Sequence, residues 1–169
     1  GFDRPFDAYV MTRSIAAFER TLVSGTSKYD AWLQGDVTAL NDAELRGLEL
    51  FESLECGGCH SGVFLTDFET HNTGLYSDYE DPGAFRLTFD STDIGAFKTP
   101  SLRNVAETGP YMFDGSLPTL DEVIDHYASG GSNHVNQDPR VQPTDLSAQD
   151  KADLIAFLEA LSDPSFVAW

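Results

Sequence analysis

Five consecutive residues, Cys56-Gly57-Gly58-Cys59-His60, constrain this chain more than any other part of its sequence. Two cysteines two residues apart, followed at once by histidine, form the attachment signature of a c-type haem. The spacing lets each thiol reach a different vinyl group of one porphyrin. The histidine then lies under the iron as its proximal axial ligand. The chain has 2 cysteines, so the motif takes the whole supply. A zinc site would need a second ligand pair at regular spacing, and His71, His126 and His134 are scattered singly. A thioredoxin-type pair would sit at the strand-to-helix junction of a βαβ pattern, which is not seen here. A disulfide across so short a loop leaves His60 unexplained.

Composition narrows the partners. The chain carries 28 carboxylates against 10 Lys and Arg, a formal net charge of −18 over 169 residues. Haem propionates would add to that. Such a balance argues against nucleic acid and anionic membrane surfaces; it suits a basic redox-protein partner or plain solubility in salt. No apolar run approaches the roughly 20 residues that span a bilayer, so no transmembrane segment is expected. Nor does a basic-then-apolar leader open the chain. Covalent haem attachment of this kind takes place outside the bacterial inner membrane. A periplasmic or otherwise exported location is therefore expected, with the export signal lying outside these residues.

Helical periodicity brackets the motif. Met11, Ile15, Phe18 and Leu22 predict an amphipathic helix over residues 8–23. Ser24-Gly25-Thr26-Ser27 stops it, and a short segment follows around Tyr29 to Leu33. Asn41 with Glu44 reads as a capping box, with Leu40 and Leu45 as its staple. The helix it opens, with Leu45, Leu48 and Phe51 on its apolar face, runs straight into Cys56. From Ser61 to Pro118 the periodicity vanishes, an unusual length unless the loop is functional. A haem can supply the missing core there, with Phe64, Phe85, Phe97 and Phe113 packing on it. Phe64, Phe68 and Phe89 serve equally as an ordinary satellite core. Thr119 with Glu122 opens a further helix ending near Gly130, and Ser147 starts the last. The expected fold is all-α: few helices and long loops wrapped around one covalent haem.

His60 fills one axial position, so the chemistry turns on the other. Leu120, Val123, Ile124 and Tyr127 stand at helical spacing, which puts Tyr127 on the apolar face. His126 is turned about 100° from it and is expected to be exposed. Met112, between Pro110 and Gly115, is the residue type most used in electron-transfer cytochromes. Methionine raises a haem potential, whereas a tyrosinate stabilises ferric iron and lowers it. From the residues alone, Met112 and Tyr127 stand level.

Several segments together resemble the C-terminal haem domain of the bacterial di-haem cytochrome c peroxidase and MauG family. They are Ala17 to Leu22, the Cys56–His60 motif, Gly95 to Asn104, Pro110 to Ser116, Thr119 to Gly131 and the final helix. Phe113 departs from the pattern, since relatives often carry histidine there. The resemblance implies a low-spin, six-coordinate haem whose distal ligand comes from the helix after the Asp-Gly-Ser turn. Classical peroxidases have methionine at that place and MauG has tyrosine; the matching residue here is Tyr127, with Met112 as the alternative. It further implies a calcium ion between two haem domains, partly held by backbone carbonyls of Thr108 and Pro110. Residues 1–40 match an inter-domain helix and linker, and residues 41–169 the haem domain. The partner so implied is an N-terminal haem domain or companion haem chain carrying the peroxide-binding haem. The isolated chain is then not expected to be catalytically complete. A stand-alone mono-haem carrier and a haem-based ligand-binding module are the other readings. Lys98 and Arg103 stand as propionate or inter-domain partners, or as ordinary surface groups.

Overall fold

The computed structural model describes residues 6–165. Its centre is the crossing of two helices, α3 (Asp42–Ser53) and α6 (Ala148–Glu159). Each begins where local chemistry dictates. The Asn41 side chain accepts from the backbone N–H of Ala43 and Glu44, and Glu44 returns a bond to the Asn41 N–H. Ser147 and Asp150 do the same for α6. Such reciprocal caps satisfy helix-end donors that would otherwise be orphaned. The helices meet backbone to backbone at Gly47: a Cβ there would stand 2.0 Å from the Asp153 carbonyl oxygen.

Around this crossing lie Leu40, Leu48, Phe51, Leu65, Ile124, Leu154, Leu158 and Leu161, with Phe157 wholly buried. Phe157 packs tilted against Phe51 at 5.2 Å and edge-on to Tyr29 at 5.4 Å, both favourable ring geometries. Helix α5 (Leu120–Ser129) adds Ile124 to the core. It too is opened by a capping box, Thr119 with Glu122, and closed by Gly130 at φ +81°. The all-α expectation holds, apart from one small antiparallel pair in the long loop.

The N-terminal region divides in two. Helix α1 (Ala8–Glu19) is shorter than the stretch its periodicity suggested, and its stripe is not buried. Met11, Ile15, Phe18 and Leu22 are 45–63% exposed, while Val10 is buried. Residues 24–40, by contrast, are stitched to the haem-motif helices. Asp163 accepts from the Gly25 and Thr26 N–H groups and from the Thr26 hydroxyl. Asn104 donates to the Ser24 hydroxyl and accepts from the Asp163 N–H. Tyr29 and Trp32 of α2 (Lys28–Leu33) pack against the core.

Arg103 belongs to the same seam. Its two terminal nitrogens each donate to Asp30 at 2.8 Å, with both side chains about nine-tenths buried. That places it in an internal ion pair rather than among ordinary surface groups. Arg103→Met leaves Asp30 buried and unpaired, so a loss of about 3 kcal/mol in urea unfolding is expected.

The long loop gains its order from polar ties. Strands β1 (Thr70–His71) and β2 (Phe97–Lys98) pair antiparallel, and α4 (Phe85–Thr88) is a single turn. Buried Asn72 donates to the Ile94 carbonyl and lies 3.1 Å from His134 Nδ1. Its own oxygen accepts from the Gly74 N–H and the Tyr79 hydroxyl. Gly95, at φ +78°, leaves room for it: a Cβ would meet Asn72 Nδ2 at 2.4 Å. Phe113 stacks on Phe97 at 3.7 Å, with Tyr79 alongside, so these rings partner each other. Phe64 with Phe68 and Phe85 with Phe89 form two separate pairs, exposed except for half-buried Phe85.

Three carboxylates are held below the usual range: Asp163 and Asp30 in the ties above, and Asp138, paired with Arg140 at 2.6 Å between α5 and α6. Asp163 is lowered first by its bond from Ser165, Asp30 by Arg103, and Asp138 to about 2 by Arg140. A depressed carboxylate contributes stability that is complete above its unfolded value of about 4. That contribution is lost as pH falls through the folded value. Melting temperature is therefore expected to fall steadily between pH 4 and pH 2, and less steeply in Asp163→Asn, in thermal scans across that window.

Candidate haem site

Helix α3 is capped by Leu54, and Glu55 at φ +59° turns the chain into a 3-10 turn over Cys56–Gly58. This sharp exit places both cysteines side by side as free thiols on the flank of the core. Cys56 packs against the core cluster, and burial pushes its thiol up to about 11. Burial raises Cys59 as well, with Arg140 pulling the other way. Haem attachment would convert both thiols into neutral thioethers, which carry no charge to desolvate on this partly buried flank.

His60 is posed as an axial ligand. Its backbone N–H donates to the Cys56 carbonyl at 2.9 Å, and its Nδ1 lies 3.2 Å from the Leu65 carbonyl. Donation from Nδ1 fixes the tautomer that leaves Nε2 with a lone pair, the usual arrangement for a metal-bound imidazole. Burial lowers its basicity, so the neutral ring is favoured. The donor set therefore fits a covalent haem.

Tyr127 projects from α5 toward this turn. Its phenol is made a weaker acid first by burial, then by the nearness of Cys56 and of Cys59. The residue is 37% exposed, so it lines an open flank rather than filling the core. His126 was expected at the surface; it is instead half-buried, with Nε2 3.0 Å from the Thr73 carbonyl. The sequence periodicity missed this because the long loop folds back over that flank of α5. Met112 is half-buried in its loop at φ +69°. Thr108 and Pro110 lie on an exposed turn with a cis peptide between Gly109 and Pro110. Their donors toward a cation would be backbone carbonyls, which suit a hard ion.

One charged group beside the motif was not foreseen. His71 lies 2.7 Å from Asp67 through Nε2 and 2.9 Å from Asp138 through Nδ1, and Arg140 grips Asp138. Among the described residues, Cys59, Asp67 and His71 are the one gathering of ligand-type atoms, all within 4.8 Å. The histidine is engaged with both carboxylates there, and Cys59 belongs to the haem motif. Asp138-Pro139-Arg140 carries no periodicity or motif spacing, so only the folded loop reveals it.

Comparison with known proteins agrees with the site. Residues 44–162 match the cytochrome c family. Over 163 residues the chain is 39% identical to the methylamine utilization protein MauG of Methylorubrum extorquens, covering 95% of this chain and 46% of that protein. It is 35% identical over 182 residues to the cytochrome-c peroxidase IdrP1 of Denitromonas iodatirespirans, covering 88% and 48%. The crystal structure of a MauG-like protein associated with microbial copper homeostasis superposes with a TM-score of 0.87 at 39% identity. That match covers 96% of this chain and 59% of the other. The diheme peroxidase BthA of Burkholderia thailandensis shares the fold, with a TM-score of 0.67 at 24% identity over 84% of this chain and 47% of its own. The chain thus spans about half the length of the curated relatives it matches. It belongs to the cytochrome c family, in the group of MauG and the bacterial cytochrome c peroxidases.

Proposed function

We propose that this chain is the electron-transfer half of a two-haem oxidoreductase, holding one covalent haem c between His60 and Tyr127. The observation that carries this reading is the Cys56–His60 turn, with His60 Nδ1 held 3.2 Å from the Leu65 carbonyl, in a chain 39% identical to MauG. The haem, when bound, supplies a one-electron iron couple. Cys56 and Cys59 fix the porphyrin in place, and His60, aligned by the Leu65 carbonyl, offers Nε2 from one side. Tyr127 offers its oxygen from the other. Burial opposes the phenolate, and the iron's positive charge offsets that cost. A haem held by both residues would have no position left for peroxide, which would assign the peroxide-reacting haem to a companion half.

Two features support a companion. The relatives are about twice as long as this chain, and the α1 stripe presents Met11, Ile15, Phe18 and Leu22 to solvent. Exposed stripes of this kind mark surfaces that another unit covers. The exposed Thr108–Pro110 carbonyls fit part of a calcium shell completed by that unit. The net charge of −18 suits a basic redox partner in an exported compartment.

The test uses the haem-loaded chain alone. It is expected neither to turn over hydrogen peroxide nor to bind cyanide readily. Tyr127→Phe, which would open the second axial position, should bind cyanide markedly faster than the unaltered chain. Steady peroxide turnover by the unaltered chain would sink the closed-site reading.

A further inference from the structure

Arg140 reaches the haem-binding turn from the loop between α5 and α6. Its Nη1 and Cδ lie 3.2 and 3.4 Å from where a Cβ on Gly58 would stand. The guanidinium donates to Asp138 through Nε at 2.8 Å and Nη2 at 2.6 Å, and Nη2 lies 3.1 Å from His71 Nδ1. His71 Nε2 is 2.7 Å from Asp67, whose backbone N–H donates to the Cys59 carbonyl at 2.8 Å. The circuit begins and ends on the haem turn.

We propose that Arg140 is a positioning residue that raises the reduction potential of the haem held at Cys59, with Asp138 as its counter-charge. Ferric haem carries one more positive charge than ferrous haem. A fixed cation beside the porphyrin therefore disfavours the ferric state, and a fixed carboxylate favours it. Of the other two candidate cations, Arg103 pairs with Asp30 in the α2 seam, and Lys98 donates to the Thr99 carbonyl and lies over the Phe68 ring. The proposal rests on covalent haem at the motif and is independent of the ligand opposite His60.

Midpoint potentials of the haem-loaded chain and three variants test it. Arg140→Gln is expected to lower the potential and Asp138→Asn to raise it. Arg140→Lys should keep it near the unaltered value although thermal stability drops, because lysine retains the charge but not the forked geometry. A brace acting only by packing would move both neutral variants in the same direction. Same-direction shifts, or an unchanged potential in Arg140→Gln, would overturn the role. Should Arg140→Gln fail to fold, a potential in Asp138→Asn at or below the unaltered value would overturn it alone. Intact mass comes first: an unaltered chain without covalent haem contradicts the haem assignment itself.

Discussion

The Cys56→Ala, Cys59→Ala double variant is expected to lose all covalently held haem, read as the disappearance of the one-haem mass increment under denaturing conditions. Each single variant should keep one thioether and a weakened hold on the porphyrin. The size of the effect follows from supply: these are the chain's 2 cysteines, and no other group forms a thioether to a vinyl carbon. Their position makes the outcome specific to the haem. They sit on the turn after α3, with Cys56 against the core and Cys59 beside Asp67 and His71. Alanine fills the space of each side chain in part and leaves the α3–α6 crossing untouched. Loss of haem with α3 and α6 still helical in circular dichroism is the expected pattern. Retention of the full mass increment in the double variant would mean that the motif is not the attachment point.

Gly47→Ala is the second large effect. The α3–α6 crossing brings backbone against backbone, and an alanine Cβ would lie 2.0 Å from the Asp153 carbonyl oxygen and 2.7 Å from Phe157 Cβ. Neither partner is the free end of a flexible side chain, so the helices must separate. Separation opens the layer around Phe157, the best-buried ring in the core. Overpacking a tight core costs typically 1–3 kcal/mol, and a backbone clash belongs at or above the top of that range, about 3 kcal/mol. For a chain of this size that lowers the melting temperature by roughly 10 °C. Gly25→Ala provides the contrast, since nothing lies within 4 Å of a Cβ there. A melting temperature unchanged in Gly47→Ala would mean that the crossing is looser than described.

What the sequence reveals here depends on range. The haem motif is five adjacent residues with a fixed chemical meaning, so its reading needs no fold. The caps at Asn41, Thr119 and Ser147 span four residues each and are equally legible. Periodicity identified the α1 stripe but could not say what covers it: an amphipathic face looks the same whether it meets its own core or another unit. The pairs Arg103 with Asp30 and Arg140 with His71 join residues 73 and 69 positions apart. No local pattern encodes such pairs, and both arise where loops close over helices. His126 follows the same logic, its burial being decided by Thr73 of the long loop.

The central claim is that Tyr127 faces the iron opposite His60, and electron paramagnetic resonance of the ferric chain tests it most directly. The account predicts a low-spin signal in the unaltered protein that converts to high spin in Tyr127→Phe, with Met112→Leu leaving it unchanged. A low-spin signal that survives Tyr127→Phe but is lost in Met112→Leu would contradict it.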